Sequence, residues 1–342
     1  MSDRAISLLG VKADNAYDFK KTIQTSSAPS IITKTEATRL IDYMVDESVL
    51  WQMVRVERMD RATKWIRFLD ITKGVLRRDV CGSYEDSGQI TAEGKQLQAR
   101  KHKVVIPICD DVLKDNLEGP ALEEHILRMV AEQINNELEV IALMANLGGH
   151  YTNDDVDTSV LHWFDGWYEQ MKLGNLINPT YPHCCLDWCH FGWMMRTLAT
   201  KYRKRPDLLR FFMAPDLGID YADMLEKRQT GLGDSIITGA TIAKWRKTPL
   251  EEIPLLPTDL PNVCGAYEDG QAGTFMFLSR PENLVLGIQY EIGYERQRDG
   301  VNSQTFHIFR IGFDALIQNV AATVLLDGLT TRTECCVPTS TS

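Results

Sequence analysis

The chain has 342 residues, of which 44% are hydrophobic and 25% charged, with a formal net charge of -10. That is ordinary globular composition, and no apolar run approaches the ~20 residues of a membrane span, so a disordered chain and a helical membrane protein are both excluded. The acidic balance argues against a dedicated nucleic-acid binder, because cation–phosphate contacts supply most of that affinity.

Residues 1–35 are polar, end in Ser26-Ser27-Ala28-Pro29-Ser30 and show no strong period, which predicts an extended arm with little core of its own. The first residues lack the apolar stretch of a signal peptide, so synthesis and first residence in a cytoplasm are expected. Thr35 to Met53 reads as a helix, with Ile41, Met44, Val45 and Val49 on one face. From Arg61 to Pro107 the pattern changes. Two strand-like runs, Thr63 to Leu69 and Lys101 to Ile108, flank a stretch holding Gly74, Gly82, Gly88 and Gly94. They predict a long β-hairpin, too poor in large apolar groups to bury much surface alone.

The clearest element runs from Gly119-Pro120 to Gly148-Gly149. Proline suits the first turn of a helix and glycine suits its stop. Leu122, Ile126, Val130, Ile134, Leu138, Ile141 and Ala145 follow spacings of four and three, which makes one apolar stripe. The remainder is mixed. His190 to Lys201 and Asp220 to Lys227 read as helices; Thr274 to Leu278, Leu284 to Tyr294 and Thr305 to Ile311 read as strands. The fold class is therefore α+β, and the length suggests two subdomains or long excursions from one.

Charge is unevenly spread. Residues 1–60 hold 8 basic and 9 acidic side chains, residues 61–107 hold 10 and 5, and residues 108–342 hold 19 and 33. The hairpin segment alone is basic.

This order of elements resembles the major capsid proteins of tailed bacteriophages with the Hong Kong 97 (HK-97) fold. The residues that carry the resemblance are Ile106-Pro107-Ile108-Cys109-Asp110-Asp111 at the passage from hairpin to helix, and Glu139 to Asn146 at the helix end. Phe212-Met213-Ala214-Pro215, Arg228-Gln229-Thr230-Gly231-Leu232-Gly233-Asp234, Pro249 to Pro257 and the strands around Asp299-Gly300 add to it. The resemblance implies a division of the chain: arm 1–35; helix 36–60 leading into the peripheral domain; E-loop hairpin 61–107; peripheral domain 108–185 with spine helix 120–146. The axial domain follows at 186–264, strands return to the peripheral domain over 265–312, and a closing axial segment and tail fill 313–342.

It implies a non-enzymatic shell protein that self-assembles into hexamers and pentamers and forms the icosahedral head around double-stranded DNA. Portal, scaffold and cement proteins are the implied partners, packaged DNA the non-specific content, with no cofactor and no membrane. The virion is the implied location, with assembly in the host cytoplasm. In the family the hairpin lies over a neighbouring subunit. Here that contact is expected to set hairpin cations Arg77, Arg78, Lys95, Arg100, Lys101 and Lys103 against acids such as Asp110, Asp111, Glu118, Glu123, Glu124 and Glu132. Some members form Lys–Asn cross-links assisted by a glutamate. Val301 to Arg332 contains no glutamate, and Gln304 and Ile311 stand where the pair would be sought, so no cross-link is expected.

Two rival functions share parts of this pattern. An encapsulin-type nanocompartment shell has the same fold. A soluble metal-dependent enzyme would use His183, Cys184, Cys185, Cys189 and His190, since thiolate and imidazole are zinc ligands. The spacing is not a standard pair of CxxC knuckles, and a sulfur-rich core around Trp188 and Trp193 is the expectation, so no metal is assigned. The eight cysteines are expected to be reduced thiols. Gly231-x-Gly233 and Gly148-Gly149 lack the following Lys-Ser/Thr of a phosphate loop and read as turns. The basic run Lys201-Tyr202-Arg203-Lys204-Arg205 reads first as a solvated helix end, with DNA or a neighbouring subunit as the other readings.

Overall fold

The structure is a computed structural model, and it describes residues 48–71, 90–109, 121–149, 151–152, 156–179, 185–226, 244–261, 272–289 and 293–330. The described chain opens on helix α1 (Val49–Met53), begun by Ser48, whose hydroxyl accepts from the Trp51 amide at 3.1 Å. The expected helix thus ends at Met53, and its residues before 48 lie outside the described ones. Strand β1 (Arg55–Met59) follows directly, so the helical lead-in does not reach residue 60.

Strands β2 (Thr63–Ile71) and β3 (Ile90–Gln98) form the hairpin, with Thr63 opposite Gln98 and Ile71 opposite Ile90. Strand β4 (Arg100–Cys109) leaves it and pairs along its whole length with a strand at Gln304–Ile317. The return strand of the hairpin is therefore Ile90–Gln98, not Lys101–Ile108. The reason is burial: β4 carries His102, Val104, Ile106 and Ile108 on one face, and that row belongs against the core.

Helix α2 (Ala121–Met144) is the long helix that the apolar stripe predicts. Ile134, Leu138, Ile141 and Ala145 are buried, and Val130 packs beside them. Gly149, at φ 71°, turns the chain after the helix in a conformation that few other residues adopt. Short helices α3 (Thr158–Leu161) and α4 (Trp167–Lys172) precede strand β5 (Asn175–Ile177). Helix α5 (Trp188–Thr197), strand β6 (Arg210–Met213) and helix α6 (Pro215–Glu226) come next. Both helices start earlier than their apolar periods indicate: α5 at an Asp187 cap, α6 at a first-turn proline. Short strands β7 (Lys244–Trp245), β8 (Thr248–Glu252) and β9 (Leu260–Pro261) lead to β10 (Ala272–Ser279). Strands β11 (Leu284–Gln289), β12 (Gly293–Asp299), β13 (Gln304–Ile317) and β14 (Val324–Leu329) complete the described chain. The single strand expected from Leu284 to Tyr294 is two strands.

Besides the two-stranded hairpin, the described elements make two larger sheets. In the first, β13 is the shared strand. β4 lies along one edge, β11 and β12 lie end to end along the other, and β1 runs parallel to β11 outside. In the second sheet the order is β5-β14-β10-β6-β8-β7, with β9 beside β10. Two cores result. One sets the end of α2 against Trp51 of α1, Leu286, Ile311 and Phe313 of the first sheet, and Phe212, Phe275 and Phe277 of the second. The other covers the opposite face of the second sheet, with Phe191 and Met194 of α5 and Leu217 and Tyr221 of α6 over Phe211, Met276, Leu278 and Leu326.

Candidate functional site: the hairpin and its anchor

The hairpin is anchored at its base. Leu97 and Ile66 are buried with Met59, Ala99 and Val285, and Leu316 packs against them. Gly287 lies beneath: a Cβ there would sit 2.9 Å from Met59 Sδ and 3.3 Å from Leu97 Cδ1, so the glycine lets the base seat closely. Polar bonds reinforce the seat. The Gln98 amide donates to Asp314 Oδ2 at 2.6 Å, Arg100 Nη1 meets Asp314 Oδ1 at 3.3 Å, and Lys95 Nζ donates to the Ile317 carbonyl at 2.9 Å. Burial pushes the Asp314 carboxyl up, and the Gln98 amide and the Arg100 charge oppose that push. On its other face the hairpin is open: Trp65 is 58% exposed, and Arg67 and Gln96 are exposed beside it.

The cations expected to face a neighbour divide. Lys95 and Arg100 bond within their own subunit, as above. Lys101 and Lys103 are exposed on β4, and Lys103 helps hold the Glu295 carboxyl low, after the stronger bond from Arg310. Glu132 is half-buried on α2. Glu123 and Glu124 lie in α2 with side chains outside the described set; Arg77, Arg78, Asp110, Asp111 and Glu118 lie outside the described residues altogether. Gln304 opens β13 half-buried, and Ile311 is buried opposite His102.

Several buried or half-buried polar groups carry no sign in the sequence pattern. Besides Asp314 there is Glu139, on α2, which accepts from the Ser48 hydroxyl and so ties α1 to α2. Burial pushes its carboxyl up, and the Ser48 bond opposes. Tyr168 donates to Asp327 at 2.9 Å and joins α4 to β14; burial pushes the Asp327 carboxyl up too. His102 stands edge-on to Trp163 at 5.3 Å and to Phe313 at 6.3 Å. Burial, with help from the Arg100 charge, lowers it to about 4, so it is neutral at pH 7.

The cysteine–histidine segment is used for structure. His190 Nδ1 accepts from the Asp187 amide at 2.9 Å and completes a capping box on α5, while Cys189 Sγ donates to Asp187 Oδ2 at 3.7 Å. Cys185 sits in a disulfide, which corrects the expectation of reduced thiols at that position. His183 and Cys184 lie outside the described residues. Among the described residues no three His, Cys, Asp or Glu converge as a metal site.

No protein-family model matches the chain. The "Putative prophage capsid protein YqbE" of Bacillus subtilis (strain 168) is 23% identical over 281 residues, covering 81% of this chain and 86% of that protein. Among solved structures, a chain of the satellite phage P4 procapsid, which includes the size determination (Sid) protein, superposes with a TM-score of 0.63 at 12% identity. It covers 94% of this chain and 98% of that one. A chain from the capsid of a native GTA particle superposes with a TM-score of 0.56 at 11% identity, over 90% of this chain and 95% of that one. Gordonia phage Cozz supplies another, at 0.56 and 10% identity, over 82% and 86%. At these coverages the likeness spans most of the chain, which has the HK-97-type fold of phage capsid proteins.

Proposed function

We propose that this chain is the major capsid protein of a tailed phage, a structural rather than catalytic protein whose copies close into an icosahedral shell. The observation that carries the reading is the hairpin. It is seated firmly by Leu97, Ile66 and Asp314, yet it leaves Trp65 and Arg67 exposed among the described residues of its own subunit. A strand pair of that kind needs a surface from elsewhere, and a second copy supplies it in a closed tiling. The relative named as a prophage capsid protein and the capsid structures of the same fold support this.

In this reading the first sheet with α2 is the peripheral domain, the second sheet with α5 and α6 is the axial domain, and hexamers and pentamers are the capsomers. Portal and scaffold proteins are partners, and double-stranded DNA is the content. The remaining cations, Arg77 and Arg78 of the segment joining the hairpin strands and Lys101 and Lys103 of β4, meet acids of an adjacent copy. Exposed pairs contribute only ~0–1 kcal/mol each, so they act together on register and rate. Electron microscopy of the purified protein, produced with its neighbouring head genes, tests the reading. Closed shells with five- and sixfold capsomers are expected; a protein that stays a small soluble oligomer under those conditions refutes it.

A further inference from the structure

Two basic segments, forty residues apart in the chain, are brought to one end of the second sheet. Lys201-Tyr202-Arg203-Lys204-Arg205 follows α5, and Lys244-Trp245-Arg246-Lys247 spans the turn between β7 and β8. The Thr248 hydroxyl donates to the Pro206 carbonyl at 3.3 Å and joins them. Both turns are held in place. The amides of Tyr202 and Arg203 donate to Ala199 and Thr200, and the Tyr202 hydroxyl accepts from Asn319 Nδ2 at 2.8 Å. On the other side Trp245 stacks on buried Phe191, and Arg246, at φ 56°, lies 4.7 Å over the Trp245 ring.

The charges there lack counterparts. Among the described residues Arg203, Lys204, Arg205, Lys244, Arg246 and Lys247 make no ion pair, and all but the half-buried Arg203 are exposed. By contrast Arg55, Lys64, Arg100, Lys172, Arg210 and Arg310 each hold a carboxylate. The acids along the same segments do not answer the cluster: Glu251 is taken by Arg210 at 2.6 Å, Glu252 lies at the end of β8 away from the turn, and Asp207 is a single exposed carboxylate. Six like charges left together in a chain of net charge -10 mark a surface whose counter-charge comes from another molecule.

We infer that this surface contacts the phosphate backbone of duplex DNA, weakly and without base preference. The polymer's identity rests on the shell reading above; the surface itself does not. Along the two segments the one exposed large apolar side chain is Leu208. An interface between copies has an apolar, desolvated centre, whereas a nucleic-acid interface is dominated by cations and polar groups. The Arg246–Trp245 stack and Tyr202 add the planar groups that accompany such contacts.

The test uses unassembled full-length subunits and a fluorescent duplex of mixed sequence, with anisotropy followed from ~50 to ~200 mM salt. Each phosphate neutralised contributes about -0.9 to the slope of log K against log salt, so six cations give a slope between roughly -3 and -5. Reversing three exposed cations, Lys204→Glu, Arg205→Glu and Lys247→Glu, is expected to weaken binding more than tenfold and flatten the slope by about 3, with subunit melting unchanged. If the reversal unfolds the chain, the milder Lys204→Gln, Arg205→Gln and Lys247→Gln set reads the same loss of slope. No binding by the unaltered subunit at ~50 mM salt, or equal binding by the variants, overturns the inference. So does a variant that binds DNA normally but assembles poorly by light scattering, since the surface would then face a second copy. Subunits that bind DNA as described but never form shells would refute the shell reading and leave the surface standing.

Discussion

Leu97→Ala tests whether the hairpin is seated as a unit of its own. Leu97 is fully buried in a cluster of only six side chains at the margin of the first sheet. Truncating a buried leucine costs about 2–5 kcal/mol. Here the lower part of that range applies, about 2–3 kcal/mol, because Met59 Sδ and the open hairpin can settle toward the space. Expressed as local opening, that is roughly a 30- to 140-fold loss of protection, at about 1.4 kcal/mol per tenfold. Hydrogen exchange read by mass spectrometry resolves the segments. Amides of β2 and β3 are expected to exchange faster by that factor, while those of α2 and β13 keep their protection. Equal loss in α2 and β13 would refute the reasoning, because the base would then belong to the global cooperative unit. Unchanged exchange in the hairpin would refute it too, because Leu97 would not be the anchor.

Glu139→Gln should flatten part of the pH dependence of stability. The native carboxyl holds its proton more tightly than the unfolded one, whose ordinary value is 4.5, so wild-type stability falls as pH rises from 4.5 through the raised native value. Urea titrations from pH 4.5 to 8 should show a smaller fall in the variant. His102→Leu acts on the other side. The native imidazole titrates near 4 against 6.5 unfolded, so stability is lost as pH drops from 6.5 to 4, by on the order of 1–3 kcal/mol, and the variant should lack that loss in denaturation at pH 4 and 7. Tyr168→Phe removes the donor to Asp327 and leaves a buried carboxyl short of a partner, at a cost of about 1–3 kcal/mol in chemical denaturation. Adding Asp327→Asn should cost less than the two single changes together, which a double-mutant cycle reads directly.

The long helix was legible because its stripe repeats over seven apolar positions, and period alone decides a helix of that length. Strand pairing was not. Lys101–Ile108 was recognised as a strand, but its alternation says only that one face is buried, and it pairs with β13 rather than closing the hairpin. The true return strand offers little pattern: in Ile90-Thr91-Ala92-Glu93-Gly94-Lys95-Gln96-Leu97-Gln98 only Ile90 and Leu97 are large and apolar. β14 was missed because Val324-Leu325-Leu326-Asp327-Gly328-Leu329 is buried throughout, and a short continuous apolar run has no period to read. The hairpin's exposed character followed from its composition. Its anchor did not, because Asp314 and Gly287 lie some two hundred residues away and matter only through contact.

The placement of β13 has a mechanical consequence. The hairpin feeds into the Arg100 end of β4, while the tight turn at Asp299–Gln304 leads into the opposite end of β13. A pull between the hairpin and that turn therefore drags two antiparallel strands past each other along their length. All ten residue pairs from Gln304–Cys109 to Phe313–Arg100 are loaded at once, in shear, rather than opened one after another like a zip. In a wall under tension, that geometry lets a single subunit resist stretching with the combined strength of the ladder.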